Sequence, residues 1–155
     1  MQRFIKGLLF TLPLLLTGCK PALGAKITIT KSSEVLETFI ELDDKSAVTN
    51  LISAEANFVL VSYALVGCSC WGQFHIQVLN PYISETNIPI YVLHTDLFNN
   101  EYYGLPINAA KTNTPVIGLY KEGVYTYGLN YFEDEAVFAK LATFKTWINR
   151  YIMIV

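Results

Sequence analysis

Two cysteines, Cys68 and Cys70, flank a single serine, and Trp71 follows directly. A bridge between residues this close would close a very small loop, and the stabilisation a disulfide draws from restricting the unfolded chain grows with loop length. A purely structural staple is therefore a poor reason for the pair. Outside the cytoplasm thiols can be oxidised and stay so, which makes the pair a candidate redox dithiol. The plain alternative is two small buried hydrophobes, since free cysteine is among the most buried residue types.

The chain carries 3 cysteines, and the remaining one speaks to the compartment. Arg3 and Lys6 precede an apolar run from Leu8 to Leu16, and Thr17-Gly18-Cys19 follows. This is the charged, apolar and small-residue order of an export signal. The run is too short for a permanent membrane span. Because cleavage would fall just before a cysteine, the segment resembles a bacterial lipoprotein signal, in which Cys19 becomes the lipid-modified N-terminus. An ordinary secretory signal, or an N-terminal helix with Cys19 as a bystander, is the alternative. The expected organisation is a signal over residues 1–18, a lipidated end and short linker over 19–25, and one domain over 26–155. The protein is then extracytoplasmic, attached through Cys19 to the lipid bilayer of the bacterial cell membrane, with the domain held close to the surface.

Composition narrows the classes. With 52% hydrophobic and 15% charged residues the chain is globular rather than disordered. A net charge of −2, with no Lys/Arg cluster beyond the signal, lacks the basic footprint that phosphate binding needs, so nucleic acid is set aside. No zinc spacing, phosphate loop, nucleotide fingerprint or hydrolase triad is legible. No cofactor and no metal site are expected.

The elements around the cysteines form an alternating pattern. Residues 26–30 alternate like a short strand, and Ser32, Ser33 and Glu34 ahead of Val35, Leu36, Phe39 and Ile40 read as a capped helix. Asp44 or Ser46 opens a second helix through Val48, Leu51 and Ile52. The run from Phe58 to Tyr63 has the near-continuous apolar character of a strand buried on both faces. It leads into Gly67 and the cysteine pair. Phe74, Val78 and Leu79 then follow helical spacing until Pro81, so the cysteines lie where a strand ends and a helix begins. Further strands are expected at residues 88–93, 115–120 and 124–128, the last two joined by a turn at Lys121-Glu122-Gly123. A terminal helix is expected over residues 133–152, with Glu133, Asp134 and Glu135 at its N-terminal end and Lys145 and Arg150 toward the other. Strand and helix alternating, then a hairpin, then a helix, describe an α/β sandwich.

From about Asn57 to Arg150 the chain resembles a thioredoxin-fold protein, close to the thiol–disulfide oxidoreductases and the bacteriocin-transport accessory branch. Three features carry the likeness: the strand running into a cysteine pair at a helix start, the segment from Asn113 to Gly123 with its Thr114-Pro115 step, strand and turn, and Ile90 to Asp96 as the middle strand ending in an acid. The resemblance implies a three-layer thioredoxin-like sandwich, a central mixed β-sheet flanked by helices. It makes Pro115 a cis-proline facing the cysteines, and Thr114 and Pro115 substrate-positioning residues. A helix N-terminus lowers a thiol pKa, so Cys68 is the expected attacking thiolate and Cys70 the resolving one. Trp71 is read as a wall of the substrate site. The family's usual pattern is Cys-x-x-Cys, whereas Trp71 stands here in the second cysteine's position, Ser62 in that of the buried acid and Gly67 in that of the aromatic residue before the first cysteine. The tighter ring of Cys68-Ser69-Cys70 is expected to be strained and therefore more oxidising.

Three classes remain. The first is an oxidoreductase acting on the thiols or disulfides of exported proteins, with room for an electron-transfer partner in the membrane. The second is a non-catalytic module binding a partner through the Pro115 face and the tyrosines Tyr102, Tyr103, Tyr125, Tyr127 and Tyr131. The third is a copper carrier, because soft thiolates select Cu(I). His75, one turn after Trp71, and His94, within an apolar strand, read as packing histidines rather than ligands.

Overall fold

The computed structural model describes residues 25–42, 44–63, 69–94 and 115–155. The expected leader and all but the last residue of the expected linker lie outside these segments.

The β-branched alternation after Lys26 forms strand β1 (Ile27–Ile29), and Ile40–Leu42 forms β2. Helix α1 (Lys45–Ser53) begins where Asp44 caps it, the carboxylate accepting from the Ala47 N–H at 2.8 Å. That bond and one from Ser46 hold the Asp44 carboxyl below its ordinary value. Strand β3 (Phe58–Tyr63) is buried at every residue, as expected of a central strand with both faces covered. After it come α2 (Ser69–Phe74), a π-helical turn over His75–Leu79 and α3 (Asn80–Thr86), then β4 (Ile90–His94), β5 (Val116–Lys121) and β6 (Val124–Asn130). Helices α4 (Glu135–Ala139) and α5 (Leu141–Ile148) and strand β7 (Ile152–Ile154) complete the chain.

Five strands form one sheet in the order β2-β4-β3-β5-β6, with β2, β4 and β3 parallel and β5 and β6 antiparallel to their neighbours; β1 and β7 pair in parallel as a second, two-stranded sheet. Side chains alternate across a strand. Val59, Val61 and Tyr63 therefore join the large core that includes Phe74, Val78, Tyr82, Phe138 and Phe144. Phe58 and Leu60 enter a smaller core with Val48, Leu42, Leu93 and Tyr120. A mixed sheet with helices about it is an α/β sandwich.

Three elements differ from the sequence expectation. The segment from Ser32 to Phe39 is not a helix. Asn87 at the end of α3 holds it open: the Asn87 side chain accepts from the Leu36 N–H at 2.8 Å and donates to the Ser32 and Glu34 carbonyls at 2.9 and 3.0 Å. Those carbonyls are the ones a first helical turn would use, while Leu36 and Phe39 pack against the large core and Val35 is left 87% exposed. Pro81 does not end the helix after the cysteines. The backbone widens into the π-helical turn just before it, the Asn80 N–H donating to the His75 carbonyl, and the helical run continues to Thr86. Such a turn shifts the upstream carbonyl that a proline ring would otherwise strike. The terminal helix is interrupted at Lys140, whose backbone is extended, and it stops at Ile148. The residues beyond pair with β1, the Ile27 N–H donating to Tyr151 and the Val155 N–H to Ile29. The backbone groups of β1 are satisfied by this pairing.

Candidate active site at the carboxyl edge of the parallel strands

The parallel strands β2, β4 and β3 all end at the same edge of the sheet, where open α/β sheets characteristically assemble their sites. Register decides what meets there. Tyr63 pairs with His94 across β3 and β4, and Glu41 pairs with Val92 across β2 and β4. By the twofold alternation of strands, Glu41, Val92, His94 and Tyr63 share one face, the face on which α2 packs.

Cys70 lies in the first turn of α2, 7% exposed, and is disulfide-bonded. The chain's other cysteines, Cys19 and Cys68, lie outside the described residues. Trp71, next in sequence, lies with its ring stacked on Tyr63, centroids 3.7 Å apart and planes 14° apart. Phe39 approaches the indole at 5.6 Å and His75 at 5.1 Å. The His75 ring is set by its Nδ1, 3.1 Å from the Trp71 carbonyl oxygen one turn back. The wall expected of Trp71 is thus one ring in an aromatic group.

On the other side of Tyr63 lies His94, ring centroids 4.3 Å apart. The phenol oxygen is 3.0 Å from His94 Nδ1 and also meets Nε2 in a short contact. Glu41 Oε1 is 2.5 Å from His94 Nε2, with the histidine side chain 12% and the glutamate 49% exposed. A partly buried imidazole is thus held between a phenol and a carboxylate, an arrangement that can accept, hold and return a proton.

Pro115 reaches the same edge from the antiparallel side. It is buried and precedes Val116, which pairs with Ser62 of β3, and its carbonyl accepts from the Tyr131 N–H at 3.2 Å. Thr114, and with it the peptide bond whose cis form the resemblance implies, lies outside the described residues, as do Cys19, Cys68, Gly67, Asp96, Tyr102 and Tyr103. Ser62 is 4% exposed, between Leu93 and Val116, and by alternation it belongs to the face opposite Tyr63. Among the described residues no group of three or more His, Cys, Asp and Glu side chains is placed to hold a metal ion, and no helix is long and apolar enough to cross a membrane.

Sequence reasoning missed the Glu41–His94–Tyr63 group and treated His94 as packing. The available signal was positional: Tyr63 and His94 are the polar-tipped final residues of two apolar runs, which in parallel strands places them at the ligand edge.

No family model and no curated protein matches this chain. Among solved structures, a chain from the yeast mitochondrial 1-Cys peroxiredoxin study of thiol resolution via glutathione and thioredoxin systems matches with a TM-score of 0.53 and 14% identity, over 75% of this chain and 98% of its own. Thioredoxin NaTrxh from Nicotiana alata matches with a TM-score of 0.51 and 14% identity, over 77% and 97%. Oxidised thioredoxin O1 from Arabidopsis thaliana matches with a TM-score of 0.50 and 14% identity, over 74% and 97%. The fold is that of the thioredoxin-like proteins.

Proposed function

We propose that this protein is a thiol–disulfide oxidoreductase, anchored outside a bacterial cytoplasmic membrane through a lipid on Cys19 and acting on exported proteins through Cys68 and Cys70. The observation that carries the reading is the disulfide at Cys70, in the first turn of a helical run that follows a fully buried parallel strand. That is where partial positive charge from the helix favours a thiolate. In the oxidising direction a substrate thiolate attacks one sulfur of the Cys68–Cys70 bond. The bond breaks, the other cysteine leaves as a thiolate and takes up a proton, and a mixed disulfide forms. A second substrate thiol resolves it, so two electrons pass from the substrate dithiol to the protein and the substrate gains a disulfide.

Thr114 and Pro115 are assigned to holding the extended substrate chain and Trp71 to walling the site; the approach of Pro115 to the end of β3 supports the former. A membrane partner would reoxidise or reduce the pair. The thioredoxin-like fold supports thiol proteins as partners.

One observation favours a second reading. Cys70 is largely buried, as an inert disulfide in a partner-binding module would be. Equilibration of the full chain with glutathione buffers, with free thiols counted by mass, decides between them. The oxidoreductase reading expects a reversible two-electron transition at roughly −180 mV or higher, the range of protein disulfide isomerase and above. A pair that resists reduction across that range leaves the binding module. Lipid attachment is checked by the mass of the mature N-terminal peptide, which in Cys19→Ser should lose both the acyl groups and membrane association.

A further inference from the structure

The chain contains 2 histidines, and both lie against the same pair of stacked rings beside the disulfide. His75 packs on Trp71 from within the helical run, while His94 reaches Trp71 only through Tyr63. We infer that His94, gripped by Glu41, is a positioning residue: through Tyr63 it sets the placement of Trp71 beside Cys70, and its protonation changes the rate of exchange at the disulfide. The second half of this inference rests on the oxidoreductase reading above.

The physical chain is short. Tyr63 is 3% exposed, so its ring cannot move without disturbing the core around Val61 and Phe74. A change at the imidazole reaches Tyr63 through the hydroxyl that meets it. Neutral His94 offers Tyr63 an acceptor nitrogen; the imidazolium offers two donors and no acceptor. On protonation the ring can only donate, so the phenol oxygen accepts from it while Glu41 gains an ion pair. The Tyr63 ring lies nearly parallel to the indole at 3.7 Å, so a new positive charge behind the phenol alters the stacked pair electrostatically. Trp71 is peptide-bonded to Cys70, and any movement of the indole reaches that cysteine's backbone.

Among the described residues, the titratable groups facing His94 are Glu41 from β2 and Tyr63 from β3, and the one facing Trp71 from its own helical run is His75. Histidine is the side chain whose ordinary charge change falls between pH 5 and 8. Two histidines near one indole require that their effects be separated.

The test uses the full chain with Trp147→Phe, which leaves Trp71 as the single tryptophan of the 2 in the sequence. Trp71 fluorescence is followed from pH 5 to 8, and the rate at which dithiothreitol reduces the Cys70 disulfide, divided by the thiolate concentration of the reagent at each pH, is followed over the same range. In a His75→Gln background, which removes the ring packed directly on the indole, a titration step is expected to remain in the fluorescence and to recur in the reduction rate. His94→Gln and Tyr63→Phe should each abolish the step, and Glu41→Gln should displace it. The limiting reduction rate in His94→Gln should change by about tenfold, less than the loss of a group that itself transfers the proton. Circular dichroism checks that each variant is folded, and Glu41→Asp should restore the parental step. Absence of the step in the His75→Gln background, its persistence in His94→Gln, or a reduction rate that ignores it would each overturn the inference. Failure of the oxidoreductase reading has a different signature: the glutathione titration shows no reversible transition in any variant, whatever the fluorescence does.

Discussion

The two faces of the five-stranded sheet are built from the same strands and do different work. On one face Val59, Val61, Ile90, Val92 and Ile117 meet the helices α2, α3, α4 and α5 in the large core, and toward the carboxyl edge that face ends in Tyr63, His94 and Glu41. On the other face Phe58, Leu60, Leu93 and Tyr120 meet α1 in a small core, and the corresponding position of β3 is Ser62. Phe58 and Tyr120 stack there with centroids 4.3 Å apart, and burial pushes the Tyr120 phenol well above its ordinary value. The lesson is that alternation along one strand can give one face packing alone and the other both the main core and, at its carboxyl end, the polar groups.

The largest effect belongs to the disulfide beside that polar edge: Cys70→Ser is predicted to abolish oxidation of a dithiol peptide while the chain remains folded. Residual oxidation comparable to the parent would remove the dithiol from the mechanism. Next is the core behind it. Phe74 is fully buried against Phe138 and Phe144, at 5.0 and 5.9 Å between centroids, and Phe74→Ala is predicted to cost about 3–5 kcal/mol in urea unfolding.

The small face should be more forgiving. Leu60→Ala is predicted to cost about 2–3 kcal/mol, the low part of the range for such truncations, because fewer elements surround the void and α1 can settle into it. Equal losses for Leu60→Ala and Phe74→Ala would erase the distinction between the two cores. Gly128→Ala probes the middle of the hairpin, where Gly128 pairs with Gly118: a Cβ there would run into the Tyr125 hydroxyl oxygen and lie 2.7 Å from the Ile117 carbonyl oxygen. A loss of about 1–3 kcal/mol is expected, read from the thermal midpoint.

The smallest effect is at the exposed cap of α1. The Asp44 carboxyl sits below its ordinary value of 3.8 in the folded chain, mainly through the Ser46 hydroxyl and then the Ala47 N–H. A depressed folded value means the carboxylate contributes stability above the unfolded value, and that contribution is lost as pH falls through the folded one. Asp44→Ala should therefore fray α1 at neutral pH, seen as faster amide exchange over its first turn, and should differ little from the parent in strong acid.

Much of this architecture was legible in the sequence. The apolar run ending at Tyr63, the Asp44 cap, the hairpin turn at Glu122-Gly123 and the strand-to-helix setting of Cys70 follow from local periodicity and turn chemistry. They do so because each is dictated by residues adjacent in the chain. The failures share a different cause. The segment after Ser32 was claimed by an asparagine far along the chain, and the end of the last expected helix was claimed by β1.

The candidate site divides in the same way. That Cys70 and Trp71 open a helix after a buried strand is a property of sequence order. That Glu41, Tyr63 and His94 meet beside them is a property of register between three strands, and a shift of one residue in any strand would turn its member to the other face. By itself the sequence determined the local elements, their apolar faces and the presence of a close cysteine pair, since these depend on neighbours along the chain. That His94 meets a phenol and a carboxylate was decided by tertiary structure alone, because only the pairing of distant strands brings the three groups within hydrogen-bonding distance.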